Sequence, residues 1–411
     1  MMKASRILAA AALAALVILS AGCKKHSFWR PEAGKQIQFR ATSDVSSKTA
    51  DTKTVYSGQY YTVGVSKYER IVWVEGDLIS IGYVSFGGKD GLCADADHYR
   101  ITDVTNSDDQ FSKAKLTPVS GPYGIDGEGW GGNGLRWRNN TYHRFFATYP
   151  AVDLEDEHFK FEIENNDLVV NCPYYYPETQ PIKSTSTELI TFDGEDNVEA
   201  TVFHPDMSYA YMFCNPADYY GTVGTDEEYL ATGETIDLPF VPHFTAFEIT
   251  AAARVGDSFR LNSASIISGD KTRPMTGMYI FQKVEPREGE TERWDDLPLE
   301  GAASQKAQIN FTDLDVDEDH PVVFTFLACS WNGFTKLVLS FNITFKVAEN
   351  VEHTVNRSIR MTGASNSESN WIFFNSSRKH RIQNLRIPIE ANAVWIDGVS
   401  AGEFEYVDLD V

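Results

Sequence analysis

Lys336-Leu-Val-Leu-Ser-Phe-Asn-Ile-Thr-Phe-Lys-Val347 decides the fold class. Leu337, Leu339, Phe341, Ile343 and Phe345 fall on alternate positions. Successive side chains of a strand point to opposite faces, so this pattern predicts a half-buried β-strand. The turn-like Trp331-Asn332-Gly333 leads into it. The same period appears at the other end of the chain, where Ile37, Phe39 and Ala41 share one face of Gln36–Ala41. Further strands are predicted over Arg70–Val74, Leu78–Tyr83, His158–Ile163, Leu168–Asn171, Phe244–Ala251, Met278–Phe281 and Val322–Leu327. No long amphipathic helix interrupts them. Many strands separated by turn residues predict an all-β fold of sandwiches, not a parallel α/β sheet.

Composition agrees. The 411 residues suit two domains better than one. Hydrophobic residues make up 42%, enough for sizeable cores, and aromatic residues 13%, which favours pleated surfaces. The polar, acidic stretch Ala217–Thr235 is the expected crossing, giving domains over 35–225 and 226–411. Lys and Arg total 36 against 58 Asp and Glu, a net charge of −22. With no basic stripe to neutralise phosphates, a nucleic-acid partner is excluded.

The first residues give an address. Lys3 and Arg6 precede the apolar run Ile7–Leu19, which is too short to span a bilayer core of roughly 30 Å. Ser20, Ala21 and Gly22 then lead to Cys23. Residues 1–22 read as a secretory signal of the bacterial lipoprotein kind, with Cys23 lipidated and 23–34 a tether. Plain cleavage beside an incidental cysteine is the alternative. Acyl chains on Cys23 would anchor the chain to the outer membrane through about 0.8 kcal/mol per buried CH₂. Removing Lys3 and Arg6 makes the charge 34 − 58 = −24. Cys93, Cys172, Cys214 and Cys329 remain, with disulfides and buried thiols both open.

Motifs for chemistry are few. No hydrolase elbow, P-loop or zinc-protease motif is present, so no catalytic residue, metal site or cofactor is expected. Asp95-Ala96-Asp97-His98 has cation-ligand types, but reads as a solvated loop. The alternating acids Asp313, Asp315, Asp317 and Asp319 resemble the start of a calcium loop. Glu318 and Phe324 stand where such a loop needs glycine and glutamate, so an acidic turn is expected instead. Trp130 and Trp137 flank Gly-Gly-Asn-Gly and are the stacking candidates for a sugar, with core packing as the plainer reading.

Several segments together resemble one family. They are Thr52-Lys53-Thr54 with Tyr56-Ser57-Gly58, Arg70-Ile71-Val72-Trp73, and Gly76-Asp77-Leu78-Ile79-Ser80-Ile81. His143–Pro150 (HRFFATYP) and Leu238–Ile249 (LPFVPHFTAFEI) follow in the expected order. With the lipoprotein signal, this order resembles the Bacteroidales fimbrillin-like family, lipoprotein precursors of pilus subunits. The resemblance covers most of residues 35–350. It implies two transthyretin-like β-sandwich domains, no active site, and assembly with other pilus subunits at the cell surface. It also implies an Arg-directed protease that removes the first strand, and a neighbouring subunit's strand that fills the groove. Here Arg40 and Ala41 would flank the cut. Val407, Leu409 and Val411, alternating with Asp408 and Asp410, would form the donor strand. Ordinary terminal strands remain the alternative for both. Lys24 and Lys25 stand where surface-exported members carry acids, which leaves the membrane leaflet open. The other functional reading is a monomeric surface lipoprotein that binds a host or bacterial glycan through Trp130 and Trp137.

Overall fold

The structure, a computed structural model, describes residues 36–43, 55–63, 66–87, 91–106, 112–119, 134–138, 142–154, 156–164, 167–214, 221–222, 235–284, 293–299, 301, 303–329, 333–361, 374, 378–389 and 404–410. Cys23 and the rest of the expected signal and tether lie outside these.

The first strands are β1 (Gln38–Ser43), β2 (Val55–Val63), β3 (Ser66–Val72), β4 (Leu78–Phe86), β5 (Cys93–Asn106), β6 (Ser112–Pro118) and β7 (Tyr142–Tyr149). Then come β8 (Lys160–Glu164), β9 (Asp167–Tyr176), β10 (Ile182–Phe192), β11 (Glu195–Pro205), β12 (Met212–Cys214) and β13 (Gly221–Thr222). After them run β14 (Thr235–Pro239), β15 (Val241–Pro242), β16 (Phe244–Ala253), β17 (Phe259–Ser268), β18 (Gly277–Val284) and β19 (Arg293–Pro298). The last are β20 (Lys306–Val316), β21 (Val322–Cys329), β22 (Leu337–Ala348), β23 (Val351–Arg360), β24 (Arg378–Ile387) and β25 (Phe404–Asp410). The fold is all-β. Met207–Tyr209, one 3₁₀ turn capped by Asp206, is the helical exception among the described residues.

The quoted alternation folds as β22. Leu337, Leu339, Phe341 and Ile343 are fully buried, while Phe345 is only partly covered and Thr344 takes a buried place beside it. β22 lies in the sheet β20-β17-β22-β23, which packs on the sheet β10-β11-β21-β16-β24-β25-β3-β2. Phe247, Ile249, Phe324, Phe326, Leu339 and Phe341 fill the space between them.

A second core lies around the sheet β14-β1-β6-β5-β4-β7-β12-β15. Its two end strands are one stretch of chain, broken only at Phe240, so the sheet curls until its ends come together. The curl brings the rings of Phe39 on β1 and Phe145 on β7 to 5.3 Å. Outside it packs the sheet β19-β18-β9-β8 through a pile of near-parallel rings. Phe146 stacks at 6.2 Å from Phe161 and 6.1 Å from Trp294. A Cβ at Gly82 would sit 2.7 Å from the Phe161 ring. Gly82→Ala therefore overpacks this layer, and a loss of about 1–3 kcal/mol in urea unfolding is expected. An unchanged midpoint would contradict that packing.

Strand partners cross residue 225: β1 pairs with β14, β9 with β18, and β11 with β21. The stretches expected as two domains share sheets, and residues 35–411 cluster as one unit. Of the expected crossing, Gly221–Thr222 pairs with β7.

One local expectation is corrected. Asp95-Ala96-Asp97-His98 is not a solvated loop. It lies inside β5, where Asp95, Asp97 and His98 are 3%, 1% and 3% exposed. Asp95 accepts from the Ala96 amide at 3.1 Å, Asp97 from the His98 amide at 2.9 Å, and the His98 ring bonds the Val152 carbonyl at 2.9 Å. Burial holds the His98 imidazole below its ordinary pKa, which suits a neutral ring. The hairpin β10–β11 was not legible from hydrophobic period, because β10 is mostly exposed on both faces. Its signal is the turn Asp193-Gly194, with φ of 52° and 81°, the dipeptide and handedness of a two-residue hairpin loop.

Candidate functional site

Four of the family-like segments, Arg70–Trp73, Gly76–Ile81, His143–Pro150 and Leu238–Ile249, converge in space. Trp73 meets Tyr149 edge-on at 5.5 Å and Phe240 at 5.1 Å. The Tyr149 hydroxyl donates to Asp77 at 2.9 Å, and Gly76 turns the chain with φ of 96°. All three rings are buried. The residues behind the resemblance are thus a packing unit that closes the curled sheet.

β1 is the strand on which function would turn. It runs parallel to β14, pairing Gln38–Thr42 with Thr235–Pro239, and antiparallel to β6. Ile37, Phe39 and Ala41 are 1%, 1% and 0% exposed, as the period-two reading requires. Phe39 sits edge-on against Tyr99 and Phe145, each at 5.3 Å. The Ile37 amide donates to the Leu135 carbonyl at 2.9 Å. On the outer face, Arg40 holds Asp237 through two bonds of 2.5 and 2.7 Å, with Lys115 its cross-strand neighbour on the other side. The Arg40–Ala41 bond therefore lies in a strand with partners on both sides. Taking residues up to 40 away would empty the slot that Gln38–Arg40 fill between Leu116 of β6 and Ile236 of β14, over the Tyr99 and Phe145 rings that Phe39 covers.

Val407 and Leu409 lie in β25; Val411 is outside the described residues. β25 is seated between β24, antiparallel, and β3, parallel. Beside it, Glu248 on β16 bonds Lys379 and Arg381 on β24, at 2.6 Å each. Burial alone would raise the Glu248 pKa, but the Lys379 ammonium and the Arg381 guanidinium outweigh it and bring it down to about 2.

Trp130 lies outside the described residues. Trp137 is 3% exposed, with its ring edge-on to His143 at 4.9 Å and packed against Phe145. A ring so covered offers no face to a sugar. Cys93, Cys172, Cys214 and Cys329 are thiols, and burial pushes the Cys172 and Cys329 pKa values up, away from reactivity. Asp317 accepts from the amides of Asp319 and His320 at 2.9 Å each, the acidic turn before β21. No group of three metal-ligating side chains forms among the described residues. Ser186 Oγ lies 2.8 Å from His204 Nε2, but Glu188 approaches that same nitrogen at 3.4 Å. A hydrolytic triad needs its acid on the other ring nitrogen, so this is a surface cluster on β10 and β11.

No protein-family model and no curated protein matches the sequence. Three solved structures described as candidate cell adhesion proteins are similar. The one from Bacteroides ovatus is 11% identical with a TM-score of 0.36, covering 92% of this chain and 97% of its own. The one from Bacteroides fragilis is 12% identical with a TM-score of 0.35, covering 91% and 96%. The one from Parabacteroides distasonis is 10% identical with a TM-score of 0.33, covering 93% and 99%.

Proposed function

We propose that this chain is a cell-surface adhesion protein, made as a lipid-anchored pilus-subunit precursor, that assembles by strand exchange after cleavage at Arg40. The observation that carries the reading is the place of β1. Its apolar face is fully buried between two partner strands, and its last outward residue before Ala41 is an arginine. Losing that strand exposes paired backbone edges and empty core pockets together, which are the two things a foreign strand supplies. The ordered family-like segments and the signal ending at Cys23 support the same reading.

The test is direct. Residues 24–411 are treated with an Arg-specific protease, the new N-terminus is mapped, and polymers are sought by electron microscopy. A new end at Ala41 with detergent-resistant ladders is expected. Arg40→Ala should abolish both. It should cost under about 1 kcal/mol of stability, because an ion pair this exposed contributes little. Polymers forming normally from the Arg40→Ala chain would overturn the mechanism.

A further inference from the structure

β10 ends the sheet β10-β11-β21-β16-β24-β25-β3-β2, so β11 is its partner on one side and its other side is an edge. Its register with β11 runs unbroken from Ser184 to Ile190, with an irregularity beyond each end. Thr187 stands opposite Thr201, whose amide donates to the Pro321 carbonyl at 3.0 Å, on the far side from β10. In an antiparallel ladder, two opposed residues turn their backbone groups either toward each other or both away. Thr187 therefore points its N–H and C=O out to the open edge. Thr185 and Leu189, two positions to either side, do the same. These groups have no partner among the described residues.

Edges are normally guarded by charge, proline or cover. β20 is covered, since the Gln308 amide donates to the Glu178 carbonyl and its carbonyl accepts from the Gln180 amide, at 2.7 Å each. β23 carries Glu352, Arg357 and Arg360. Ser184–Ile190 (STSTELI) carries one charge, Glu188, and Ser186 holds that carboxylate within the same strand at 2.8 Å. Leu189 stands 66% exposed on this edge. The stretch is also its own complement. A second copy laid antiparallel, with Thr187 opposite Thr187, aligns the whole of 184–190 with itself. Thr185 then faces Leu189, Ser184 faces Ile190, and Ser186 faces Glu188, in both directions. No charge stands opposite a like charge, and threonine pairs with threonine at the centre. Every open backbone group of 185, 187 and 189 finds its counterpart.

We propose that β10 is a self-pairing edge, through which two copies of this chain join residues 184–190 into one sheet continued across a two-fold axis. The contact takes no strand out of either chain and needs no cleavage at Arg40. One short edge buries less than a standard interface, so the dimer is weak and reversible.

The experiment follows sedimentation of residues 24–411 carrying Arg40→Ala, in about 0.15 M salt, which screens the acidic surface. Dimers should grow in as the chain rises from about 0.01 to 1 mM, the range of a weak interface. Thr187→Pro removes an N–H that the second copy alone uses and keeps the ladder to β11, as proline does on an open edge. It should weaken the dimer at least tenfold. Two further variants change side chains on the exposed face and leave the backbone alone. Thr185→Lys with Leu189→Lys sets like charges opposite each other between copies and should also weaken the dimer at least tenfold. Thr185→Glu with Leu189→Lys sets opposite charges there and should restore it. Leu189 already stands opposite Glu199 of its own hairpin, so the lysine does not strain the fold. A parent chain that stays monomeric, or a dimer indifferent to Thr187→Pro, overturns the proposal. No recovery with the opposite charges overturns the register and the self-pairing with it. Any of these failures leaves the Arg40-dependent assembly standing, since no chain here can be cut at that residue.

Discussion

Glu248→Ala should destabilise the protein by about 3–5 kcal/mol, because it removes the carboxylate that two cations share in the interior. The Glu248 side chain is 12% exposed and that of Lys379 only 4%. Each bonds the other at 2.6 Å, and Arg381 completes the cluster at 2.6 Å. Without the carboxylate, a buried ammonium loses its counter-charge while the cost of its desolvation remains. Glu248→Gln keeps the volume and removes only the charge, so it separates electrostatics from packing. The pH dependence has a definite sign. The folded pKa of about 2 lies below the ordinary 4.5, so the carboxylate's contribution is complete above about pH 4.5. It is lost as pH falls through the folded value. Urea unfolding of the two chains from about pH 6 down to 2 should show the gap between wild type and Glu248→Gln closing with acid. Parallel curves over that range would show that the cluster does not set stability.

Phe39→Ala should cost a similar amount, about 3–5 kcal/mol, from lost transfer energy and a cavity against Tyr99 and Phe145. Its neighbour Arg40→Ala should cost far less, since the one residue faces the core and the other water. The contrast bears on function. Cleavage after Arg40 takes Phe39 and Ile37 with it, so the cut chain should show at least the Phe39→Ala loss until another strand fills the groove. A synthetic peptide of 36–40 added to cut protein should return part of the melting temperature. A Phe39→Ala midpoint equal to that of Arg40→Ala would place the groove's energy elsewhere.

Much of this was readable in the residues. The alternation of 337–343 predicts its own burial, because a strand has no other way to place every second side chain in a core. Ile37, Phe39 and Ala41 are read correctly for the same reason. Period fails where burial is not one-sided. β10 exposes both faces, and Asp95, Asp97 and His98 occupy a strand interior that polar composition argued against. The His98 ring bonds the carbonyl of Val152, a partner no local rule can name. Trp137 looks like a sugar platform beside glycines, and its burial depends on His143 and Phe145 arriving from another strand.

The sequence by itself determined the all-β class, the acidic surface, the absence of a nucleic-acid stripe and which face of β1 is apolar. Those follow from composition and from the two-residue repeat of a strand, which are properties of neighbours along the chain. Only the tertiary structure decided that β1 lies between β6 and β14, that Arg40 meets Asp237, and that β25 lies between β24 and β3. Strand order and register join residues hundreds of positions apart. They are set by which buried faces and charges fit once the sheets curl and pack, and no local pattern carries that information.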